Sequence, residues 1–361
     1  NNTDNIQIFF EDCKPNSVEL LPPDINQSGF EFIPTNTTQI LYGLGAIKGT
    51  GLAAIELILE SRESKGPFKN LFDFCARLDL RKVNRRVVES LIRGGAFDTL
   101  ESNRASLLAS VNLAITAAEQ GKANIAQNSL FGEEQTQKVD MVHMDPWTPQ
   151  QKLQEEKAAL GFYFSGHPFT FFEKRVRPFI KTQIKELKPQ EQPYVIAGVI
   201  VAIRIRMTSR GKMAIVTLDD AISRVDVVVG NELLTQSQRL VQEDQLLIVE
   251  GRVSHDDFTG GIRVTARKLF DLATARNQFA HHLKISCNGQ SDANKLREML
   301  KPYCGHPQHD LKRCRVKIDY HNDQGHVELL LGREWQVDLH DELLDGLTQW
   351  LSEENVKILY N

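Results

Sequence analysis

Two glycine-rich turns near the start of the chain contain residues that can bind a phosphate group. The first is the segment LGAIKGTG at Leu44–Gly51, which precedes a predicted helix that begins near Leu52. Glycine lets the backbone turn tightly, and amide N–H groups at a helix N-terminus attract anions. Gly49 and Gly51 would present such amides, and Lys48 would add a positive charge. A glycine-rich helix connection that binds no ligand is the alternative.

The second turn is a looser copy of the first and follows it by about forty residues. It comprises Arg93, Gly94 and Gly95, between two predicted helices. Two such turns in tandem would contact the phosphates of both strands of a DNA duplex, which positions DNA without reading its sequence. Residues 40–104 contain 11 Lys and Arg against 8 Asp and Glu. This local excess is compatible with duplex binding, although charged runs most often only face solvent.

The polar segment at residues 123–147 contains one short motif with an apolar pair. The motif consists of Gln127, Ser129, Leu130 and Phe131. An exposed apolar pair in a polar linker indicates a protein partner that buries it. The alternative is that the pair packs onto the preceding long helix, which is predicted to end near Gly121.

The pattern changes from helical to strand periodicity after about residue 190. Five predicted strands with a short helix after the third have the order of an OB-fold barrel. The strands are predicted at Tyr194–Arg206, Met213–Leu218, Ile222–Val229, Gln245–Val253 and Gly261–Phe270, and the helix at Leu233–Val241. Such barrels bind single strands through basic grooves and stacked aromatic rings.

Basic residues at the first two strands are the candidates for single-strand binding. They are Arg204, Arg206, Arg210 and Lys212. Residues 191–272 contain few aromatic residues that could stack on bases, namely Tyr194, Phe258 and Phe270. We therefore expect weak binding that is independent of sequence. A barrel that serves mainly as a spacer is the alternative.

The remaining residues, 273–361, mix predicted strands and helices and form an α+β domain. Four residues that could bind zinc lie close together in it, namely Cys304, His306, His309 and Cys314. They are separated by one, two and four residues, which is not a standard zinc spacing, so no metal site is predicted. The chain as a whole is predicted to be multidomain, with a helical tandem helix-hairpin-helix domain, an all-β OB-fold barrel and this α+β domain.

The composition excludes several classes of protein. Of the 361 residues, 41% are hydrophobic and 25% charged, with a formal net charge of −4, as in ordinary globular proteins. No apolar run approaches the ~20 residues of a membrane-spanning helix, and the N-terminus lacks a signal-peptide pattern. Five scattered cysteines indicate reduced thiols. These features predict a cytoplasmic protein without a membrane partner.

No catalytic residue and no cofactor are predicted in this chain. The sequence has no Walker loop, no dinucleotide-binding glycine pattern and no nucleophile elbow. The adjacent acidic residues Asp219 and Asp220 lie at a predicted strand end, where they are typical of a turn. The chain also lacks an initiator methionine, which suggests that it begins inside a longer parent.

Six segments, in order along the chain, resemble the family of bacterial DNA polymerase III alpha subunits. They are LPPDIN at Leu21–Asn26, YGLGAIKG at Tyr42–Gly49, LFDFC at Leu71–Cys75, DLRKVN at Asp79–Asn84, GAFD at Gly95–Asp98 and LGFYFSGHP at Leu160–Pro168. The resemblance reaches about residue 272. The last ninety or so residues match only in element order, with the closest cue at Gly332–Trp335.

The resemblance implies the C-terminal region of a polymerase that copies DNA processively. It implies a remnant of the fingers at 1–39, whose partners are missing, a tandem helix-hairpin-helix domain at 40–122, a linker with a clamp-binding peptide at 123–147, a connecting helical segment at 148–190, an OB domain at 191–272 and a tau-binding domain at 273–361. Tau is a subunit of the clamp loader. The catalytic palm of the parent DNA-directed DNA polymerase, with its aspartates and Mg²⁺, would precede this chain.

The resemblance also implies roles for individual residues. The motif Gln127, Ser129, Leu130 and Phe131 would bind the beta sliding clamp, and Lys48, Gly49 and Gly51 would form the DNA-binding hairpin. A separate accessory or repair protein built from the same modules is the alternative function.

Overall fold

The structure, a computed structural model, describes residues 3–13, 15–128, 140–209, 211–256, 260–288, 291–304 and 312–360. The chain divides into two compact units, Asn1–His167 and Pro168–Asn361. Each unit has hydrophobic cores of its own.

The first unit is mainly helical. Its helices are α1 (Thr3–Cys13), α2 (Leu52–Lys65), α3 (Leu71–Arg77), α4 (Arg85–Arg93), α5 (Arg104–Asn128) and α6 (Pro149–Leu160). Three short strands, β1 (Glu19–Leu21), β2 (Ile33–Pro34) and β3 (Gln39–Leu41), form a sheet of order β1–β3–β2. Phe74 lies at the centre of the core, in edge contact with Phe68 at 4.9 Å and with Phe97 at 5.1 Å between ring centroids.

Side-chain caps determine where these helices begin. Asn84 accepts the amide hydrogen of Val87 at the start of α4, which satisfies one of the unpaired N–H groups at a helix N-terminus. Thr148 and Gln151 form a reciprocal capping box at the start of α6. Gly161 ends α6 in the left-handed conformation, with φ of 95°, a conformation that favours glycine.

Residues 15–39 belong to the helical core, which corrects the predicted boundary after residue 39. Ile25 is fully buried, and its amide donates to the carbonyl of Ala96 at 2.7 Å. The Arg62 guanidinium donates to the carbonyls of Ile25 and Ser28. The prediction that this segment lacks its partners is therefore wrong. Its partners are distant in sequence, so local periodicity could not reveal them.

The long helix α5 also differs from its prediction. It ends at Asn128 instead of near Gly121, so the predicted linker begins inside the helix and Gln127 is helical. Residues 148–190 are likewise not one connecting segment. Ala159 and Leu160 of α6 pack into the core of the first unit, whereas α7 (Thr170–Val176) packs in the second.

The second unit contains a closed five-stranded barrel, as the strand periodicity predicts. Its strands are β4 (Tyr194–Thr208), β5 (Gly211–Asp219), β6 (Arg224–Val229), β7 (Leu246–His255) and β8 (Ile262–Phe270), in the order β4–β5–β6–β8–β7. The long strand β4 pairs with both β5 and β7, which closes the barrel. The helix after β6 is α8 (Asn231–Gln236), earlier than the predicted span of Leu233–Val241.

A second sheet follows the barrel within the same unit. The connecting helix is α9 (Leu272–Phe279), followed by β9 (Ala280–Asn288), α10 (Ala293–Leu300), β10 (Arg315–Asn322), β11 (Gly325–Leu330), α11 (Asp341–Leu351) and β12 (Val356–Tyr360). The sheet order is β11–β10–β9–β12. These elements confirm the predicted α+β class.

The boundary predicted between the barrel and the α+β domain does not separate two independent bodies. Phe279 of α9 lies 5.9 Å from Phe270 of the barrel and 5.8 Å from Phe179. The ring of Tyr360 in the last strand packs on Phe179 at 5.0 Å. Aromatic contacts therefore join the barrel to the terminal sheet.

Candidate nucleic-acid interface

The turn between Leu44 and Leu52 has a fixed shape that turns backbone amides toward solvent. The Thr50 hydroxyl donates to the carbonyls of Leu44 and Ile47 at 2.9 and 2.7 Å. Gly49 has φ of 86°, a conformation that L-residues other than glycine adopt at a cost. A Cβ added at Gly49 would also lie 3.1 Å from the Ser90 hydroxyl.

The amides of Gly49, Gly51, Leu52 and Ala53 are available to an anion. None of them donates a hydrogen bond to another described residue. Gly51 is the N-terminal capping residue of α2, and its ordinary extended conformation carries no strain. A Cβ added at Gly51 would meet no atom within 4 Å, so the space beside the Gly51 Cα is open. Free amides at the start of a helix are the usual donors to phosphate.

Two cations flank these amides. Lys48 is exposed, and no described acidic residue forms an ion pair with it. Arg86 of α4 is also exposed, with its Nε 3.7 Å from the Cβ position of Gly49, and it likewise lacks an acidic partner among the described residues. From the sequence, Arg86 is one of several basic residues near the turns and is not a predicted member of the phosphate site, because it lies in a different helix. Only its local excess of basic residues could have indicated it.

The C-terminal end of helix α6 packs against this turn. The Lys48 amide donates to the carbonyl of Ala159 at 2.7 Å. A Cβ added at Gly94 would lie 3.3 Å from Leu160 and 3.4 Å from Ile47, so the turn, the end of α4 and the end of α6 meet closely. The position of the exposed amides therefore depends on how firmly α6 is docked.

The second predicted phosphate site, at Arg93, Gly94 and Gly95, is not available to a phosphate. Both glycines are buried, and their amides already donate to the carbonyls of Ser90 and Ile92 at 2.9 and 3.0 Å. The Arg93 guanidinium pairs with Glu155. This turn is a helix C-terminus that faces inward, and the prediction from its glycines is wrong because glycine also permits close packing.

Arg104 and Glu156 form a buried ion pair that connects α5 to α6. Their side chains are 6% and 1% exposed, and Arg104 Nη1 lies 3.1 Å from Glu156 Oε1. Asp98 accepts two further hydrogen bonds from the same guanidinium, at 2.7 and 2.6 Å. The second oxygen of Glu156 accepts the amide hydrogen of Ser165 at 2.9 Å. Burial disfavours the charge of Arg104, but its two acidic partners raise its pKa above the ordinary value.

The basic residues around the turn therefore divide into two groups. Arg77 donates to Asp73 and to the carbonyl of Gly66, and Arg93 and Arg104 are paired as described above. These three arginines stabilise the fold. Lys48 and Arg86 remain beside the free amides, so the structure supports one phosphate site in this unit instead of two.

The candidate clamp-binding residues lie almost entirely outside the described residues. Ser129, Leu130 and Phe131 are among the residues not described, and Gln127 is described only as part of helix α5. Side chains from Glu119 to Ala123 of the same helix are exposed, and Ala118 before them is buried. The Lys122 ammonium still donates to the carbonyl of Leu78 at 2.6 Å, so the helix keeps one polar contact with the unit at this point.

The barrel residues predicted to bind single strands do not form one basic groove. Arg204 on β4 pairs with Asp226 on β6 at 2.6 Å, which neutralises its charge. Arg206 and Lys212 are exposed, and Arg210 lies outside the described residues. Tyr194 and Phe270 pack into hydrophobic cores, and Phe258 is not described. No described aromatic ring can therefore stack on a base beside Arg206.

Asp219 and Asp220 form a turn, as the sequence predicts. Asp220 accepts the amide hydrogens of Ile184, Ile222 and Ser223. Asp219 pairs with Arg224 at 2.7 Å. Both carboxylates are thus used to close the connection between β5 and β6.

The Cys/His cluster of the C-terminal part is only partly described, because His306 and His309 lie outside the described residues. Cys304 and Cys314 each form an isolated β-bridge with Val337. Burial raises the pKa of the Cys314 thiol to about 12 and also raises that of Cys304.

Among the helices that the structure describes, none is both long and apolar enough to span a membrane.

Three family profiles match separate parts of the chain. Residues 17–107 match a profile described as "Helix-hairpin-helix motif". Residues 194–272 match "OB-fold nucleic acid binding domain", and residues 295–351 match "DNA polymerase III subunit alpha, C-terminal domain". The first match begins before residue 39, in agreement with the packing of Ile25.

Curated relatives match the chain from end to end. The DNA polymerase III subunit alpha of Neisseria meningitidis serogroup A is 39% identical over 361 residues, which are 99% of this chain and 31% of the relative. Those of Vibrio cholerae and Escherichia coli K12 are each 37% identical, over 100% of this chain and 32% of the relative. The chain thus spans about a third of the length of these relatives.

Proposed function

The chain is related along its whole length to bacterial DNA polymerase III alpha subunits, and we propose that it is the region by which such a polymerase binds DNA and its replication partners. Because the chain spans about a third of its relatives, nucleotide addition and its Mg²⁺ ions are assigned to the remainder of the parent. This region would support processive synthesis by binding, without a catalytic residue of its own.

The observation that carries this proposal is the exposed turn with Lys48, Gly49 and Gly51. Four free amides, an open approach and the cations Lys48 and Arg86 form a site for a phosphate of duplex DNA. Contacts of this kind are made to the backbone and do not read sequence. Each cation that contacts a phosphate releases counterions, so binding should weaken steeply with salt.

Replacing Gly51 by Val is expected to weaken duplex binding about tenfold or more. The added side chain would fill the open space at Gly51, next to the free amides, and would obstruct a phosphate that binds them. A hydrogen bond to a charged group contributes about 1.5–3 kcal/mol. Gly51 has an unstrained extended conformation, so the fold should be unaffected, which is not true of Gly49. The measurement is fluorescence anisotropy with a short duplex.

The matched control is Gly230→Val. Gly230 is likewise the capping residue of a helix, and its Cβ position is also open. This control should bind duplex as the unchanged chain does. The double variant Lys48→Gln, Arg86→Gln should reduce the salt dependence of log Kd by about 1 for each cation removed. Equal binding by Gly51→Val and Gly230→Val would exclude the turn.

Single-strand binding by the barrel is the weaker part of the proposal. Arg206 and Lys212 are exposed on the hairpin of β4 and β5, whereas Arg204 is paired. With no described aromatic ring beside them, these residues would hold the backbone of a single strand loosely and without sequence preference.

Two protein partners complete the proposal. The motif Gln127–Phe131 would bind the beta sliding clamp, and the α+β domain would bind the tau subunit of the clamp loader. Both assignments rest on the relationship to the alpha subunits and on position in the chain. Capture of the chain by purified clamp and by purified tau tests them separately.

Deleting residues 280–361 is expected to abolish tau capture and to leave clamp capture intact. The deletion keeps α9, because Phe279 packs on Phe179 and Phe270 of the barrel. A pull-down with each partner measures both properties on the same preparation, and circular dichroism checks that the barrel stays folded. Retention of tau by the shortened chain would show that the domain assignment is wrong.

A further inference from the structure

In the part of the chain that the structure describes, helices cover one face of the terminal sheet and none covers the other. Leu283 and Ile285 of β9 and Val316 of β10 are buried together with Leu296 of α10 and Leu343 of α11. Because side chains alternate along a strand, the residues between them face the other side. We call that side the basic sheet face. Its members include His282, Lys284, Ser286, Arg315, Lys317, Asp319, His321, His326, Glu328, Leu330, Lys357 and Leu359.

Strand register brings the basic residues of this face together. Arg315 lies opposite His282, and Lys317 lies opposite Lys284. Lys357 lies on the other side of Lys284. Neighbouring strands are about 4.8 Å apart, so these five side chains form one continuous cluster across β10, β9 and β12.

Two carboxylates neutralise part of this cluster. Asp319 pairs with Lys284 at 2.7 Å, and Glu328 pairs with Lys317. Hydrogen bonds from Lys284 and His326 hold the pKa of Asp319 at about 2, so Asp319 stays ionised. Arg315 and Lys357 are exposed, and no described acidic residue pairs with them.

The basic side chains of this face lower the pKa of a neighbouring histidine. Burial lowers the pKa of His282, and the charges of His281, Arg315 and Lys317 lower it further. The face carries four Lys and Arg against two carboxylates, a net +2 with His neutral. Residues 273–361 as a whole contain 11 Lys and Arg against 13 Asp and Glu, a net −2. The positive charge of this domain is thus concentrated on the sheet side.

Two exposed leucines bracket the basic cluster. Leu330 of β11 is 57% exposed and Leu359 of β12 is 38% exposed. Leu330 on β11 pairs with Lys317 on β10, which pairs with Lys284 on β9. Leu359 on β12 pairs with His282, two residues before Lys284. The two leucines are therefore separated by three inter-strand spacings and by two residues along the strands. These spacings place the leucines about 16 Å apart, which equals about three turns of an α-helix.

We propose that the basic sheet face binds an acidic amphipathic helix of a protein partner. Leucine-sized side chains three turns apart on that helix would contact Leu330 and Leu359, and acidic residues between them would face Arg315 and Lys357. Nucleic acid fits less well, because no Phe, Tyr or Trp is a member of this face and the two leucines offer nothing to phosphates. This inference shares one premise with the proposed function, namely that the α+β domain binds a protein.

A synthetic helical peptide tests the face directly. The probe carries two leucines about eleven positions apart with glutamates between them on the same side, and a second peptide carries lysines in place of the glutamates. Fluorescence anisotropy with the whole chain should show binding of the acidic peptide only. The double variant Arg315→Glu, Lys357→Glu should weaken it at least about tenfold.

The control variant is Arg297→Glu, Lys301→Glu, which makes the same change of charge on the helical side, at exposed positions after the start of α10. It should keep the affinity within about twofold. The inference would be overturned if both double variants lost affinity for the acidic peptide equally, or if the unchanged chain did not bind this peptide. Binding of a DNA oligonucleotide that Arg315→Glu, Lys357→Glu removes, with no peptide binding, would overturn it in favour of nucleic acid.

The same variants separate this inference from the proposed function. If deletion of residues 280–361 abolishes tau capture but Arg315→Glu, Lys357→Glu does not, the assignment to tau stands and the basic sheet face is not its binding surface. If the chain binds the acidic peptide through this face but captures no tau, the face is supported and the assignment to tau fails.

Discussion

Replacing Glu156 by Ala is expected to lower the free energy of unfolding of the helical unit by about 3–5 kcal/mol. Glu156 is 1% exposed and lies 3.1 Å from Arg104, which is 6% exposed. Removing the carboxylate would leave a buried guanidinium with Asp98 as its remaining acidic partner. It would also leave the Ser165 amide without its acceptor. Chemical denaturation followed by circular dichroism measures the loss.

Glu155→Ala provides the matched control, since it is the adjacent residue in the same helix. Glu155 pairs with Arg93, and these side chains are 27% and 31% exposed. Exposed ion pairs contribute about 0–1 kcal/mol, so this variant should be nearly as stable as the unchanged chain. Similar losses in both variants would mean that burial does not strengthen the Arg104–Glu156 pair.

The Arg104–Glu156 ion pair should also influence phosphate binding, although neither residue belongs to the phosphate site. Ala159, one turn later in α6, accepts the amide hydrogen of Lys48. A loosened α6 would therefore let the turn move and weaken duplex binding even in molecules that remain folded. Glu156→Gln keeps the shape of the side chain and one acceptor oxygen. Its decrease in the free energy of unfolding should therefore lie between those of Glu156→Ala and Glu155→Ala.

The sequence predicted the elements of this fold better than their packing. The five barrel strands were predictable because apolar residues alternate along them, and the order β4–β5–β6–β8–β7 confirms the OB-fold. Residues 15–39 were misassigned because Ile25 and Arg62 meet across a gap in sequence that no local pattern spans. The predicted end of α5 near Gly121 is wrong because glycine does not necessarily stop a helix: it costs only about 1 kcal/mol relative to alanine.

The candidate site was predictable in part. The first hairpin was identified by Gly49 and Gly51, and the structure leaves their amides without partners among the described residues. Gly94 and Gly95 gave the same signal but serve close packing against Leu160 and Arg104. Glycine spacing cannot separate these two uses, because the difference lies in whether another helix covers the turn. The position of Arg86 beside Gly49 results from tertiary packing, so no local sequence pattern distinguishes Arg86 from the other basic residues nearby.

Replacing Leu130 and Phe131 together by Ala is expected to abolish binding to the sliding clamp and to leave the melting temperature nearly unchanged. Burying these two side chains in a pocket of the clamp would contribute roughly 1.5–3 kcal/mol each, before the cost of ordering the peptide. Gln127 would fix the register, and Ser129 would be tolerated because it is small. Surface plasmon resonance with immobilised clamp and a thermal melt of the same sample measure both properties.

The control is Gln135→Ala with Gln137→Ala, which changes two polar residues of the same segment and should keep clamp binding. Loss of stability together with retained clamp binding in the leucine and phenylalanine variant would show that the pair packs onto the chain instead. The exposure of Glu119, Gln120 and Ala123 in the last described turns of α5 favours clamp binding by the pair over packing of the pair onto this helix. A short peptide must be ordered on binding, so its own affinity should be modest. Processivity would then arise from effective concentration, with the clamp and the duplex held by neighbouring parts of one chain.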